Sequence, residues 1–237
     1  MPDKFLYLAL MIGSLAYPLA QSFERRIELW KKWKHMFPAI LLTAGFFLIW
    51  DEFFTRIGVW SFSPDYTLGI NIGSLPLEEW LFFLIVPYCC FFVYFVTAYF
   101  FRKDVLGPFQ RIIATTVSLI LLTSAIAFYD RWYTAYTCFL PALLLLYLTY
   151  VKRVKYLGRF FVGYFFCLIP FLIVNGVLTS KPVVMYNDAE NSGVRIFIQG
   201  ISNIPIEDLA YCMLLLLLNV ALYESFAKRN QREIDTR

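Results

Sequence analysis

Seven stretches of this chain are long and apolar enough to cross a bilayer, at 5–23, 37–54, 81–101, 112–129, 132–150, 160–178 and 209–226. A hydrocarbon core about 30 Å thick takes a helix of about 20 apolar residues. Inside lipid every backbone N–H and C=O must pair within its own segment, so the runs are read as helices. The expected fold class is an all-α integral membrane protein with seven transmembrane helices. Only 16% of the residues are charged, whereas a soluble domain uses roughly 25% to wet its surface. The first stretch lacks a basic leader and a small-residue cleavage site, and is expected to be a retained helix rather than a signal peptide.

The basic residues orient these spans. With the N-terminus outside, the cytoplasmic segments hold Arg25, Arg26, Lys31, Lys32 and Lys34, then Arg102, Lys103 and Arg111. They continue with Lys152, Arg153, Lys155 and Arg159, and end with Lys228, Arg229, Arg232 and Arg237. The outer segments keep Lys4, Arg56, Arg131, Lys181 and Arg195. Such an excess on alternate loops is the positive-inside pattern. It predicts an outside N-terminus, a cytoplasmic C-terminus and a multi-pass protein of the cell membrane. The net charge of +4 gives no reason to expect nucleic acid as a partner; membrane lipid is expected instead. Cys89, Cys90, Cys138, Cys167 and Cys212 fall within spans at no metal-ligand spacing and read as buried apolar thiols. The single histidine, His35, lies in the most basic loop and reads as solvated.

The chain also repeats itself. Asp51, Thr55, Val59 and Phe62 match Asn175, Thr179, Val183 and Tyr186 at a constant offset. After a polar loop, Leu75-Pro76-Leu77-Glu78-Glu79-Trp80 matches Ile204-Pro205-Ile206-Glu207-Asp208-Leu209, with the second loop five residues longer. The expected organisation is a first three-helix repeat at 1–103, a linker helix at 104–130 and a second repeat at 131–237. A shift of four spans is even, so the repeats should be parallel in a 3+1+3 arrangement, related by an axis along the membrane normal.

Proline and acids at a helix start have an ordinary reading, since they suit the first turn and the positive end of the helix dipole. Two acids at equivalent places in both repeats, bordering hydrocarbon, point beyond a cap. Asp51 and Glu52 close the second span on the side where Glu78 and Glu79 open the third; the second repeat offers Glu207, Asp208 and Asn175. Crowded carboxyl groups in low dielectric do not all ionise. A neutral acid among Trp50, Trp60, Trp80 and Tyr66 could donate a proton to an apolar substrate. Asp51 shares a helix face with Thr55, and Asn175 with Thr179. Glu78 or Glu207 is the expected proton donor, and the sequence does not choose between them.

On these residues the chain resembles the small integral-membrane lycopene cyclases, which are built of two homologous halves and occur separately or, as here, fused in tandem. The resemblance is carried by Trp50-Asp51, the stretch from Thr55 to Phe62, Pro76 to Glu79, Asn175 to Ser180 and Pro205 to Asp208, and it covers nearly the whole chain. It implies an intramolecular lyase, or isomerase, that cyclises the linear ends of lycopene to β-ionone rings without net redox change. It leaves open β, ε or γ rings and one or two cyclised ends. It places the catalytic acids at Glu78, Glu79, Glu207 and Asp208. No cofactor and no metal are expected: no Gly-x-Gly-x-x-Gly precedes a helix, and aromatic faces can stabilise a carbocation as they do ammonium ions.

Other classes fare less well. A retinal protein needs a lysine in its last span, and 209–226 has none. A membrane prenyltransferase wants Asp-x-x-x-Asp motifs, which are missing. The alternative reading is a small seven-helix transporter of parallel repeats, although such a protein lines its path near the midplane rather than at one end.

Overall fold

The structure is a computed structural model that describes residues 3–197 and 203–235, with only the helical backbone for 230–235. Seven α-helices dominate: α1 Leu6–Gln21, α2 Trp33–Arg56, α3 Leu77–Phe100, α4 Gln110–Ala127, α5 Trp132–Leu146, α6 Leu157–Ser180 and α7 Glu207–Asp235. Six helical segments are long and apolar enough to cross a membrane, α5 being so once joined by the π-helical turn Tyr147–Val151 that continues it; α1, with 16 residues and no such extension, is shorter. At 1.5 Å per residue it spans about 24 Å, a few ångströms less than the hydrocarbon core. The expected first stretch ends two residues later than α1, because Ser22 donates its backbone N–H to the Leu19 carbonyl and closes the last turn. Arg237, counted above among the cytoplasmic charges, lies outside the described residues.

Consecutive helices run antiparallel, joined at one end by the long connections 57–76 and 181–206, whose strands pair with each other. The starts of α1, α3, α5 and α7 and the ends of α2 and α6 therefore gather at one end of the bundle. At the other end lie the basic segments at 25–34, 102–111 and 152–159. Packing exchanges the two halves: α1 packs on α3 as α5 packs on α7, while α2 packs on α7 as α6 packs on α3. α4 packs mainly on α5 and presents Ile112, Leu119, Ile120 and Ile126 outward. Exposed aliphatic side chains of this kind are what lipid solvates, since tails are as apolar as leucine.

Three two-stranded pieces cover the loop end. β1 (Trp60–Phe62) pairs antiparallel with β4 (Val184–Tyr186), and Trp60 faces Tyr186, Ser61 faces Met185 and Phe62 faces Val184. With residues 60–62 matched to 184–186, that register maps onto itself when the halves are exchanged. The flanking bonds do the same: Ser63 donates its N–H to the Val183 carbonyl at 3.0 Å, and Asn187 to that of Val59 at 2.8 Å. The hairpin β2 (Asn71–Ile72) with β3 (Leu75–Pro76) is matched by β5 (Arg195–Ile196) with β6 (Ile204–Pro205). The first hairpin turns tightly at Gly73, whose φ is 70° and where a Cβ would lie 2.8 Å from Glu52 Oε2. Only glycine meets both conditions without strain. The extra residues of the second hairpin fall at 198–202, outside the described residues.

Candidate active site

A cavity of about 50 Å³ lies beneath the β1–β4 pair, bounded by the helix ends gathered there. Its walls come in matched pairs: Tyr7 with Tyr133, Asp51 with Asn175, Trp60 with Val184, Phe62 with Tyr186, Glu79 with Asp208 and Phe82 with Tyr211. Phe171 and Leu178 complete them. The cavity therefore sits where the two halves face each other.

The acids reach it because each acidic pair opens a helix. In α3 the first turn holds Glu78 and Glu79, and in α7 it holds Glu207 and Asp208. Adjacent residues on a helix point about 100° apart, so one acid of each pair turns inward and the other toward its loop. Glu79 accepts the Tyr7 hydroxyl at 2.5 Å. Asp208 accepts three donors: the Tyr133 hydroxyl, the Asn175 amide and the Tyr186 hydroxyl, the last at 3.0 Å. The tyrosines of α1 and α5 thus play the same part toward the acids of α3 and α7. Asp51, 2% exposed, lies on α2 beside Glu79 and leaves Oδ2 with no partner in the protein.

The outward acids are bound to loops. Glu78 accepts the backbone N–H of Leu68 at 2.7 Å. Glu207 accepts that of Ser192 and the Thr134 hydroxyl, both at 2.6 Å. Glu52 likewise accepts the Ser74 N–H at 2.8 Å and pairs with Arg56 at 2.7 Å. These bonds tie the carboxyl groups to the loops over the cavity, and Glu78, Glu207 and Glu52 do not line it.

Aromatic rings surround the inward acids. Tyr133 stacks on Tyr186 with centroids 5.6 Å apart, Trp60 meets Tyr133 edge-on at 5.3 Å, and Trp50 packs on Tyr211 at 5.5 Å. Buried acids within a box of π faces can donate a proton and then stabilise the cation that results.

The comparisons with known proteins address the same residues. The sequence profile of the family described as lycopene cyclase matches 4–97 and 130–226, most of the chain, in two segments. This chain belongs to the lycopene cyclase family. It is 32% identical over 90 residues to a bifunctional lycopene cyclase/phytoene synthase of Aspergillus niger, a match covering 35% of this chain and 15% of that longer protein. No solved structure matches.

For this family member, the residues expected from sequence divide by position. Glu79, Asp208, Asp51, Asn175 and Trp60 line the shared cavity, while Glu78 and Glu207 hold loops. Trp50 stands behind the wall, stacked on Phe47 at 5.5 Å. Thr55 lies off the cavity, and Thr179 returns its hydroxyl to the Asn175 carbonyl at 2.9 Å within its own helix. Tyr66 contributes a backbone carbonyl to the Tyr7 N–H at 3.3 Å, and Trp80 caps the Ile72 carbonyl at 3.4 Å. Sequence reasoning missed Tyr7, Tyr133 and Tyr211 as site residues, and used Tyr186 only to mark the repeat. Extending the repeat into the first and fifth helices would have exposed Tyr7 and Tyr133, a hydroxyl at matched places near both helix starts.

Proposed function

We propose that this protein is a carotenoid cyclase that closes the linear ends of lycopene to β-ionone rings at the cavity between its halves. The observation that carries the reading is the cluster of Asp51, Glu79 and Asp208 in one aromatic pocket assembled by both halves. α1 serves as the seventh span. The halves form a parallel 3+1+3 repeat with the N-terminus and the acids on the outer side and the basic loops in the cytoplasm, as in a cell-membrane protein. Apolar substrate and product then reach the site from the bilayer.

The reaction needs a proton delivered and a proton removed. A carboxylic acid protonates the terminal double bond, leaving a tertiary cation. The neighbouring alkene attacks it, forming the ring carbon–carbon bond and moving the cation into the ring. Loss of an adjacent ring proton creates the ring double bond. One proton enters, one leaves, and no electrons are transferred.

Hydrogen-bond inventories divide the labour. An ionised carboxylate only accepts, and Asp208 is offered three donors, the setting of an anion. Asp51 and Glu79 are buried side by side, with the Tyr7 hydroxyl donating to Glu79 and the Trp60 indole beside Asp51, fewer donors for two carboxyl groups than Asp208 has for one, which suits a pair that holds one proton. We assign the Asp51–Glu79 pair as proton donor and Asp208 as the anion that stabilises the cation or takes the last proton. Glu78 and Glu207 position the loops. Trp60, Tyr133, Tyr186 and Tyr211 offer π faces to the cation.

The test is expression in cells that accumulate lycopene, with pigments separated by chromatography. Turnover of preformed, unlabelled lycopene by the membrane-inserted protein in heavy water should leave one solvent deuteron in each ring formed. Unchanged lycopene in cells that hold the membrane-inserted protein would refute the reading.

A further inference from the structure

A second and larger cavity, about 310 Å³, runs between α1, α3 and α6 and touches the acid cavity. The two share Phe82, Phe171 and Asn175 as lining residues, so these side chains form the partition between them. The larger space is walled by Val86, Cys89, Cys90, Cys167 and Val174, and Pro18 and Pro170 lie along it. At its rim Tyr17 is 65% exposed and meets Phe92 edge-on at 6.0 Å, where the bundle faces lipid.

Exchange of the halves should generate a second groove between α5, α7 and α2. That place is filled. Val174 is matched by Trp50, Pro170 by Phe46, Val86 by Leu215, Cys89 by Leu218 and Ser14 by Leu140. Trp50 stacks on Phe47 and packs against Tyr211, Phe46 meets Trp50 at 6.0 Å, and Leu215 is 1% exposed. The size difference reverses at Tyr17 and Phe92, the pair at the open groove's rim, which are matched in the other half by Leu143 and Ala221.

We infer that the α1–α3–α6 groove holds the apolar polyene of the substrate behind the reacting end, and that its filled counterpart leaves a single approach to the acids. This inference rests on the cyclase reading above. Its consequence is directional. A linear carotenoid with two reactive ends presents one end per binding event, with the rest of the chain lying out through the groove into lipid. The second end is reached only after the product leaves and turns round. A monocyclic carotenoid is therefore released as a free species.

Purified protein in lipid vesicles tests this with a pulse of labelled lycopene followed by an excess of unlabelled lycopene. Labelled monocyclic carotenoid should accumulate, because the chase competes for its return. Labelled bicyclic product forming after the chase with no free monocyclic species would overturn the inference. Val86→Trp and Cys89→Trp, which fill the groove without touching the acids, should each slow turnover about tenfold or more by denying the reacting end its position. Leu143→Trp, at the place matching Tyr17 on the filled side, should leave turnover unchanged. Pro170→Trp at the exposed rim serves if a buried variant fails to insert. Wild-type turnover in the inserted groove variants would overturn the groove assignment while sparing the cyclase reading. Wild-type protein that cyclises nothing would refute that reading instead.

Discussion

The two halves bring the same backbone to the acid cavity and different chemistry. Where the first half offers Asp51, Trp60 and Phe62, the second offers Asn175, Val184 and Tyr186. The acid of the second half, Asp208, collects three donors, while Glu79 of the first half has one and a carboxyl neighbour. A symmetric scaffold can hold opposite protonation states at matched places once the surrounding donors differ. That is what an acid–base isomerisation requires, because one group must begin as an acid while another begins as an anion.

The largest effects should fall on the inward acids. Glu79→Gln and Asp208→Asn keep size and lose the carboxyl, and each should cut cyclisation by about 10²- to 10⁴-fold, read as β-carotene formed per inserted protein. Asp51→Asn makes the halves alike at this position and should fall in the same range. A D51N protein with wild-type turnover would mean that the difference between Asp51 and Asn175 has no catalytic meaning.

The filled and open grooves give the next comparison. Trp50→Ala should destabilise the protein by about 3–5 kcal/mol, the usual cost of truncating a large buried ring. Val174→Ala, at the matching place beside an existing cavity, should cost about 1–2 kcal/mol, for two methyl groups at about 0.8 kcal/mol each. Denaturant titration in detergent with far-ultraviolet circular dichroism would separate them, and equal costs would break the contrast between the grooves.

Smaller effects belong to the outward acids. Glu78→Gln keeps one acceptor for the Leu68 N–H but replaces the carboxyl with an amide whose NH₂ needs a buried partner, so it should cost about 1–2 kcal/mol of stability. Its turnover should fall far less than that of Glu79→Gln, and equal losses would return the donor role to Glu78. The smallest effect should come from Arg56→Ala. This removes the exposed pair with Glu52, for which the second half has no counterpart because Gly176 and Ser180 stand at the matching places. A solvent-exposed pair contributes about 0.2–1 kcal/mol.

Much of this was legible without coordinates. Apolar run lengths mark every helix, and the duplicated Pro-x-Glu-[Glu/Asp] motifs locate the end of the bundle where the site lies. Run length is legible because lipid forces each segment to satisfy its own backbone, a local condition. Helix edges are less legible than helices, as at α1, whose apolar stretch continues through Phe23 although the helix stops at Gln21.

The choice within each acidic pair was not legible. Glu78 and Glu79 are neighbours in sequence with nearly identical chemistry, and Glu78 or Glu207 was the expected donor. Only the packing of α3 on α1 and of α7 on α5 turns Glu79 toward Tyr7 and Asp208 toward Tyr133, and leaves Glu78 and Glu207 to the loops. Nor could spacing tell that Val174 borders an open groove and Trp50 a filled one, since that depends on side chains from three helices distant in sequence. What the amino-acid order determines here is local: helices, their hydrophobic faces and the repeat. Which carboxyl groups meet, and which of two matched grooves stays open, are relations between segments, and they exist only once the halves have packed.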